Sequence, residues 1–433
     1  MSPQSPVYWS DQQVRQFLRS LFEEAVASVQ PFLVLAGMLP EKPKGRCVVV
    51  GAGKASAAMA AALENAWPDV PLEGVVVTRD GHAVPTRHIT ILEASHPVPD
   101  ARSESAAQAI LKAVSGLGPE DMVIALISGG GSSLLVSPVQ GVTLEEKQSV
   151  NKALLRSGAT ISEMNAVRRH LSAIKGGKLA QAAYPARVET FVMSDVPGDD
   201  PGVIASGPTI FSSATAAEAL HIIERYGIEL PDSARVALFK EAETEKKRTQ
   251  ARQVNGAVHM IATPLQALKA VAEKAEKAGV ASLILGDAIE GESAAAGVVL
   301  AGVARSVRQH GLPVAGPVVL LSGGETTVTI RKGEAAGRGG RNTEFLLAAA
   351  QALAGEAGIW ALAGDSDGID GTEDAAGAII TPDTLMRGQQ AGLSASDFLK
   401  GHDSYSYFSA TDDLVITGPT MVNVNDIRII FIQ

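Results

Sequence analysis

The sequence predicts an α/β protein of two domains, each built on a mostly parallel sheet covered by helices. Three observations lead there. A chain of 433 residues exceeds what one hydrophobic core comfortably organises. Apolar runs of strand length alternate with helical patterns in both halves, the order that produces parallel sheets. The chain is 46% apolar but only 4% aromatic; Ala, Gly, Val and Leu dominate, which suits close-packed α/β layers better than a stacking platform for nucleic acid.

Taken in order, residues 11 to 36 carry helical periodicity through Val14, Leu18, Leu21, Phe22 and Ala25, with Ser10 as the N-cap. The first sharp strand is CVVVGAG at 47 to 53, followed by the alanine-rich helix KASAAMAAALENAW. Strand-like GVVVT and ITILEA follow, then a helical stretch at 103 to 115 and the strand MVIALISGG. VETFVMSD at 188 to 195 runs into VPGDDPGVIASGP, whose Pro and Gly content continues neither element. After the helix AAEALHIIERYG, the charged segment 239 to 253 is taken as the boundary, giving domains 1–245 and 246–433. The second half repeats the alternation through VASLILGD, VVLLSGGETTVTIRKG, GIWALAGDSDGIDG and DDLVITGPT, and NDIRIIFI closes it as a last strand. LISGGGSSLL and LLSGGETTVTI echo one another, which either convergence or internal duplication explains.

The totals exclude several classes. With 37 basic against 47 acidic residues and a net charge of -10, a broad nucleic-acid surface is not expected, although a small basic pocket is compatible. The single cysteine, Cys47, precludes an internal disulfide and sits in a strand-like run as a small buried hydrophobe. The N-terminus lacks a signal-peptide pattern and no apolar run reaches 18 residues, so a cytoplasmic protein without a membrane partner is expected.

Candidate chemistry gathers at strand ends. In VVVGAGKASAAMA, Gly51 and Gly53 allow a close approach to backbone, and the following helix presents N–H groups to an anion. The run is a poor dinucleotide fingerprint, because Ser56 stands where the third glycine belongs. Lys54 at a helix start opposes the helix dipole unless an anion compensates, so Lys54 is a catalytic candidate and Ser56 a substrate contact; a solvated lysine is the alternative. SGGGSS supplies Gly129, Gly130 and Gly131 as a backbone nest with Ser132 and Ser133 as donors. A tight turn with a capping serine is the plainer reading. It is no nucleophile elbow, and GDSDG at 364 to 368 is not followed by the helix an elbow requires.

His96 in SHPVPD and the basic group Arg168, Arg169, His170, Lys175 and Lys178 are further anion candidates, the latter only if they lie near the glycine loops. Asp195, Asp199 and Asp200, and separately Asp365, Asp367 and Asp370, offer oxygen ligands for a cation such as Mg2+, or Asx-turns. The run LLSGGETTVTIRKGEAAGRGGRNTEF collects Gly323, Gly324, Glu325, Thr326, Thr327, Arg331, Lys332, Arg338, Arg341 and Asn342, a donor set suited to phosphate oxygens and phosphoryl charge. A glycine-rich surface hairpin is the competing reading.

In VVVGAGKA, LISGGGSSLL, MSDVPGDDPGVIASGPT, LLSGGETTVT, GRGGRNTEF, ALAGDSDGIDG and TGPTMVNVNDI, and in their order, the chain resembles the class II glycerate 2-kinases of the MOFRL family, along nearly its whole length. Members are also labelled hydroxypyruvate reductases or tartrate-utilisation proteins. The resemblance implies a Rossmann-like N-terminal domain and a C-terminal MOFRL domain facing a cleft. It implies ATP-dependent phosphorylation of D-glycerate at its 2-hydroxyl, with Mg2+, by a monomer or homodimer. Lys54 matches the lysine of the family's glycine-lysine motif, and Arg338 or Arg341 an arginine of its cleft. On this reading Asp195 orients or deprotonates the hydroxyl. Ser56, His96, Arg168 and Ser132 hold substrate. Gly129, Gly130, Gly131, Ser133, Gly323, Gly324, Thr326 and Asn342 serve the nucleotide, and Asp195, Glu325 and Asp365 the metal. An NAD(P)H-dependent hydroxypyruvate reductase and a nonenzymatic sugar-acid or nucleotide sensor remain as alternatives.

Overall fold

The structure is a computed structural model that describes residues 9–247, 255–331 and 336–433. Lys332 and part of the charged segment at 239 to 253 lie outside the described residues. Contacts divide the chain into two compact units. One comprises residues 31–194 and 199–261; the other comprises residues up to 30, the short segment 195–198 and everything from 262 onward.

The first is a parallel-sheet unit. Its strands are β1 (Cys47–Ala52), β2 (Leu72–Arg79), β3 (Ile89–Ala94), β4 (Met122–Ile127), β5 (Arg187–Met193) and β6 (Val258–Ala262). They lie in the order β3-β2-β1-β4-β5-β6, and β1 to β5 pair in parallel. The connections leave β1 in one direction and β4 in the other. The ends of those two strands therefore border the crevice where ligands of doubly wound sheets bind. β1 is buried at every residue, which its unbroken apolar run requires. Burial pushes the Cys47 thiol up to about 12, so it behaves as the core hydrophobe expected.

The other unit carries β7 (Ala281–Gly286), β8 (Gly291–Glu292), β9 (Val318–Gly324), β10 (Thr326–Thr327), β11 (Ile359–Asp365), β12 (Gly377–Ile380), β13 (Leu414–Val415) and β14 (Asp426–Ile432). Its main sheet has the order β13-β12-β11-β14-β9-β7, and β8 and β10 form a separate pair. The α/β class holds here, but the strand direction differs from expectation. In the main sheet, among the described residues, only β7 and β9 pair in parallel, while β14 runs antiparallel to both β9 and β11. The helix Arg341–Leu353 does return β11 in the sense of β9, as the alternation predicts. The terminal strand is then inserted between them in the opposite sense; β12 reverses again with no helix between it and β11, and β13 reverses once more after the helices Thr384–Gln390, Ala395–Lys400 and Ser404–Ala410.

The N-terminal helix Asp11–Ser28 starts at Ser10 in a capping box with Gln13 and buries Val14, Leu18, Leu21, Phe22 and Ala25, the stripe read from sequence. It ends at 28, short of the expected 36; residues 31–34 form a separate turn of helix. The division at 245 also shifts. This first helix belongs with the C-terminal strands, and β6, placed by sequence in the second half, joins the parallel sheet. Local patterns cannot show this, because the ties are long-range. Trp9 and Phe17 pack on Phe431, the Trp360 indole donates to Asp11 at 2.8 Å, and Arg15 meets Asp413 at 2.8 Å. Among the described residues, no single helix is long and apolar enough to cross a membrane.

Asp413 is fully buried and also accepts from Arg387 at 2.9 Å and Thr411 at 2.8 Å. Asp413→Asn leaves two guanidinium groups facing a neutral amide, at a cost of about 3 kcal/mol. Urea unfolding monitored by tryptophan fluorescence should show that loss, and a variant within about 1 kcal/mol of the parent would contradict the role of this carboxylate.

Candidate active site

In the parallel-sheet unit the ends of β1 and β4 approach very closely. A Cβ at Gly53, where φ is 140°, would stand 2.1 Å from the Ser128 hydroxyl oxygen, so only glycine fits. Ser128 Oγ accepts from the Ala55 N–H at 3.0 Å, and the Lys54 N–H donates to the Gly129 carbonyl at 2.9 Å. Lys54 is thereby fixed at the switch point. Gly130 adopts a left-handed φ of 79°, and a Cβ there would lie 3.0 Å from the His96 ring and 3.3 Å from Lys54 Cγ. The structure thus brings Lys54, His96 and the 129–131 loop together. Gly131 sits against Ala205, whose own φ of 51° and that of Ser206, 63°, mark a strained non-glycine turn of the kind concentrated at functional sites.

Ser132 and Ser206 share a hydrogen bond at 2.9 Å. Both line a cavity of about 510 Å³, together with Ser133, Lys147, Arg168 and Lys175. Lys152 lines it as well, and among the described residues no carboxylate lines it. Lys175 is buried and donates to the Ser132 carbonyl. Burial, aided by the charge of Arg168, pushes its ammonium down to about 7. Lys147 is also buried, donating to the Leu171 carbonyl at 2.9 Å. Burial first, then the charges of Lys175, Lys178 and Arg168, hold it well below the ordinary lysine value. Arg168 is oriented by Asn151 at 3.2 Å.

Of the basic cluster read from sequence, then, Arg168 and Lys175 reach the cavity. Arg169 donates to Ser212 and the Gly202 carbonyl, Lys178 to the Ser172 carbonyl, and His170 to the Ala214 carbonyl. Lys147 was missed, yet a signal existed. It stands three and seven residues before Val150 and Leu154, on the buried stripe of the helix Leu144–Ser157. Ser56 requires correction. It is fully buried and its hydroxyl donates to the Leu126 carbonyl at 2.9 Å, so it clamps helix to sheet and cannot touch substrate.

The other unit shows the opposite electrostatics. Arg341 lies among three carboxylates, at 2.7 Å from Asp426 and 2.8 Å from both Glu325 and Asp365. Burial alone would lower its pKa, but Asp426, Asp365 and Glu325 together hold it well above the ordinary arginine value. Asn425 touches Arg341 at 3.3 Å and also donates to the Asp195 carbonyl, while Asn423 donates to the Asp195 carboxylate at 3.0 Å. Asp195, at the end of β5, is therefore coupled to this network. Arg338 is different: it is exposed, bound to Glu373 at 2.6 Å and stacked 4.2 Å over Tyr405.

Several expected nucleotide and metal contacts are used internally. Gly324, with φ 120°, is covered by backbone, since a Cβ would meet the Ile289 nitrogen at 2.3 Å; the Gly323 carbonyl accepts from that same Ile289 N–H. Buried Thr326 bonds Ser293 and Arg428, and buried Asn342 bonds Asp370 and Asp426. Asp200 accepts from the Gly202 N–H, and Asp365 and Asp367 from N–H groups two residues on, which are Asx-turns. Asp195, Glu325 and Asp365 do not converge into one coordination sphere among the described residues. The guanidinium of Arg341 stands where a cation would. The acids of this unit fit an arginine, and a Mg2+ ion would have to rely on phosphate oxygens for most of its ligands.

Comparison with known proteins matches residues 17–239 to a family described as "Domain of unknown function (DUF4147)" and residues 318–426 to the MOFRL family. A protein of Agrobacterium vitis named provisionally as a hydroxypyruvate reductase is 60% identical over 98% of this chain and 96% of its own length. The D-glycerate 2-kinase of Thermotoga maritima is 38% identical over 94% of this chain and 96% of its own. A crystal structure of glycerate kinase from Thermotoga maritima aligns with a TM-score of 0.87 at 36% identity, covering 98% of this chain and 100% of that one.

A lysine that titrates near neutrality in an anion site couples binding to proton uptake. Sulfate, itself untitrated in this range, should bind with constant affinity below about pH 7 and then weaken toward about tenfold per pH unit as Lys175 deprotonates. Lys175→Met should bind weakly and with a shallower slope, the buried Lys147 being the remaining lysine of the cavity held well below its ordinary value. Calorimetric titration between pH 6 and 9 checks both, and a flat profile for the parent protein would contradict the assignment.

Proposed function

Because the chain belongs to the MOFRL family of glycerate-kinase-like proteins, we propose that it is an ATP-dependent glycerate 2-kinase. It moves a phosphoryl group to the 2-hydroxyl of D-glycerate and gives 2-phosphoglycerate and ADP. The observation that supports this reading best is the cavity lined, among the described residues, by four basic side chains and no carboxylate, at the loop that also holds Lys54 and His96. An apolar or cationic ligand would leave those charges uncompensated. A small substrate that carries a carboxylate and receives a phosphoryl group suits them.

ATP supplies the phosphoryl group when bound, and a divalent cation such as Mg2+ spreads the charge of its phosphates. Within this chain, the backbone of Gly129, Gly130 and Gly131 with Ser133 is proposed to receive phosphate oxygens. Arg168, Lys175 and Ser132 are proposed to hold the glycerate carboxylate, with His96 beside them. Lys54 is proposed to stabilise the negative charge on the oxygens of the transferring group. As the 2-hydroxyl oxygen bonds to phosphorus and the bond to the ADP oxygen breaks, the hydroxyl proton must leave. Asp195, oriented by Asn423 and Asn425, is the proposed acceptor. Of the two arginines, Arg341 is taken as the functional one, positioning Asp195 and Asp365 through its network. A cytoplasmic setting is part of this proposal.

The name carried by the Agrobacterium vitis relative supports a second reading, reduction of hydroxypyruvate by NAD(P)H. The strand order does not separate the two, since dinucleotide enzymes share it. Ser56 at the third glycine position argues against the dinucleotide, and the basic cavity serves either acid.

The deciding assay supplies D-glycerate, ATP and Mg2+ and resolves 2-phosphoglycerate from 3-phosphoglycerate, beside hydroxypyruvate with NADH and NADPH. Stoichiometric 2-phosphoglycerate and ADP are expected; nicotinamide oxidation without a phosphorylated product would overturn the kinase. Lys54→Met should lower kcat by about 10²- to 10³-fold with an unchanged circular dichroism spectrum. Activity within about threefold of the parent would remove Lys54 from the mechanism.

A further inference from the structure

Behind the basic wall, two residues beyond Arg168, the parallel-sheet unit holds a second polar cluster that the proposed reaction does not use. His170 ends the helix Ile161–His170 and is 6% exposed. Glu241 and Glu245 lie four residues apart on the helix Asp232–Lys247, so their carboxylates share one face. One ligand atom from each of the three lies within 4.8 Å of the others.

The imidazole shows which way the site is built. Its Nε2 stands 3.0 Å from the Ala214 carbonyl oxygen, which has no proton to give, so Nε2 is the donor. In the neutral ring the lone pair then sits on Nδ1. That atom is buried without a hydrogen-bond partner, and Glu245 Oε1 is 3.9 Å away, beyond hydrogen-bond length. The Nδ1 lone pair and the Glu245 carboxylate face one another and repel in the absence of a positive charge between them. A carbonyl that fixes the far nitrogen is the usual support of a metal-bound histidine.

We propose that His170, Glu241 and Glu245 bind a divalent transition-metal ion of the Zn2+ class, separate from any cation that accompanies the nucleotide. One nitrogen and two carboxylate oxygens suit Zn2+ or Mn2+ better than Mg2+, which prefers oxygen and water. Glu245 keeps its other oxygen on the Ala216 N–H at 2.8 Å, so its position is already set. The ion fastens the helix Asp232–Lys247 to the end of the helix that carries Arg168. Its role is to brace that wall, and the inference does not depend on the identity of the substrate.

The test uses the full-length protein, stripped with chelator and dialysed, then titrated with Zn2+ alone. Calorimetry and elemental analysis should find one tightly held Zn2+ per chain and a rise in Tm on loading. Co2+ in its place should give a visible absorption band. His170→Gln and, separately, the partly exposed Glu241→Gln should each weaken Zn2+ binding by more than about tenfold and lose the Tm response while remaining folded by circular dichroism. Failure of the parent protein to hold Zn2+, or equal binding by both variants, would overturn the site and leave a protonated His170 paired with Glu245.

Discussion

Burying like charges without a counterion is the constraint on which the parallel-sheet unit turns. Lys147 and Lys175 are almost wholly removed from water beside Arg168, and among the described residues no acid lines their cavity. Desolvation penalises each ammonium, and each neighbour adds repulsion. A core of similar volume filled by Leu or Met would be more stable. The arrangement therefore makes sense only for a protein whose liganded state returns what the empty state lacks. It also explains why the two lysines are tied to the carbonyls of Ser132 and Leu171. Those oxygens satisfy the donors without neutralising the charge, which leaves the field available to an anion.

The second unit solves the same problem differently. Arg428 is buried and Arg341 half-buried, but they share Asp426 and are surrounded by Asp365 and Asp370. Here charge is balanced internally, and the network acts as a scaffold that sets the directions of Asn425 and Asp195. A guanidinium suits this task because its fork satisfies several carboxylates at once from fixed angles. A lysine at 341 could not hold Asp426, Glu325 and Asp365 together.

Much of this was legible in the sequence because it is local. β1 and its glycine turn, the SGGGSS loop and the capping box at Ser10 each follow from a few adjacent residues. The parallel order of the first sheet follows from alternation alone. What escaped depends on distant partners. The first helix crosses to the C-terminal strands through Asp413 and Phe431, and β14 enters between β9 and β11, neither of which has a local signature. Ser56 and Lys147 erred in opposite directions for one reason. A serine after a glycine turn and a lysine in a charged helix have typical surroundings, and burial against Leu126 or Leu171 overrides them.

The two echoing turns show how much context decides. LISGGGSS and LLSGGETT share a strand and a pair of glycines, yet they emerge from dissimilar sheets. β4 lies between parallel neighbours, whereas β9 has antiparallel β14 on one side. After β4 the left-handed Gly130 opens toward Lys54 and His96, and the chain enters a short helix whose serines face a cavity. After β9 the chain passes under the backbone of Ala288 and Ile289, which occupies the space that Gly324 leaves. The glycines permit close approach in both places. In one the approaching groups are side chains that can bind an anion, and in the other they are the protein's own peptide groups. Unlike sheets around like turns weigh against a duplicated domain and for two separate uses of the same backbone freedom.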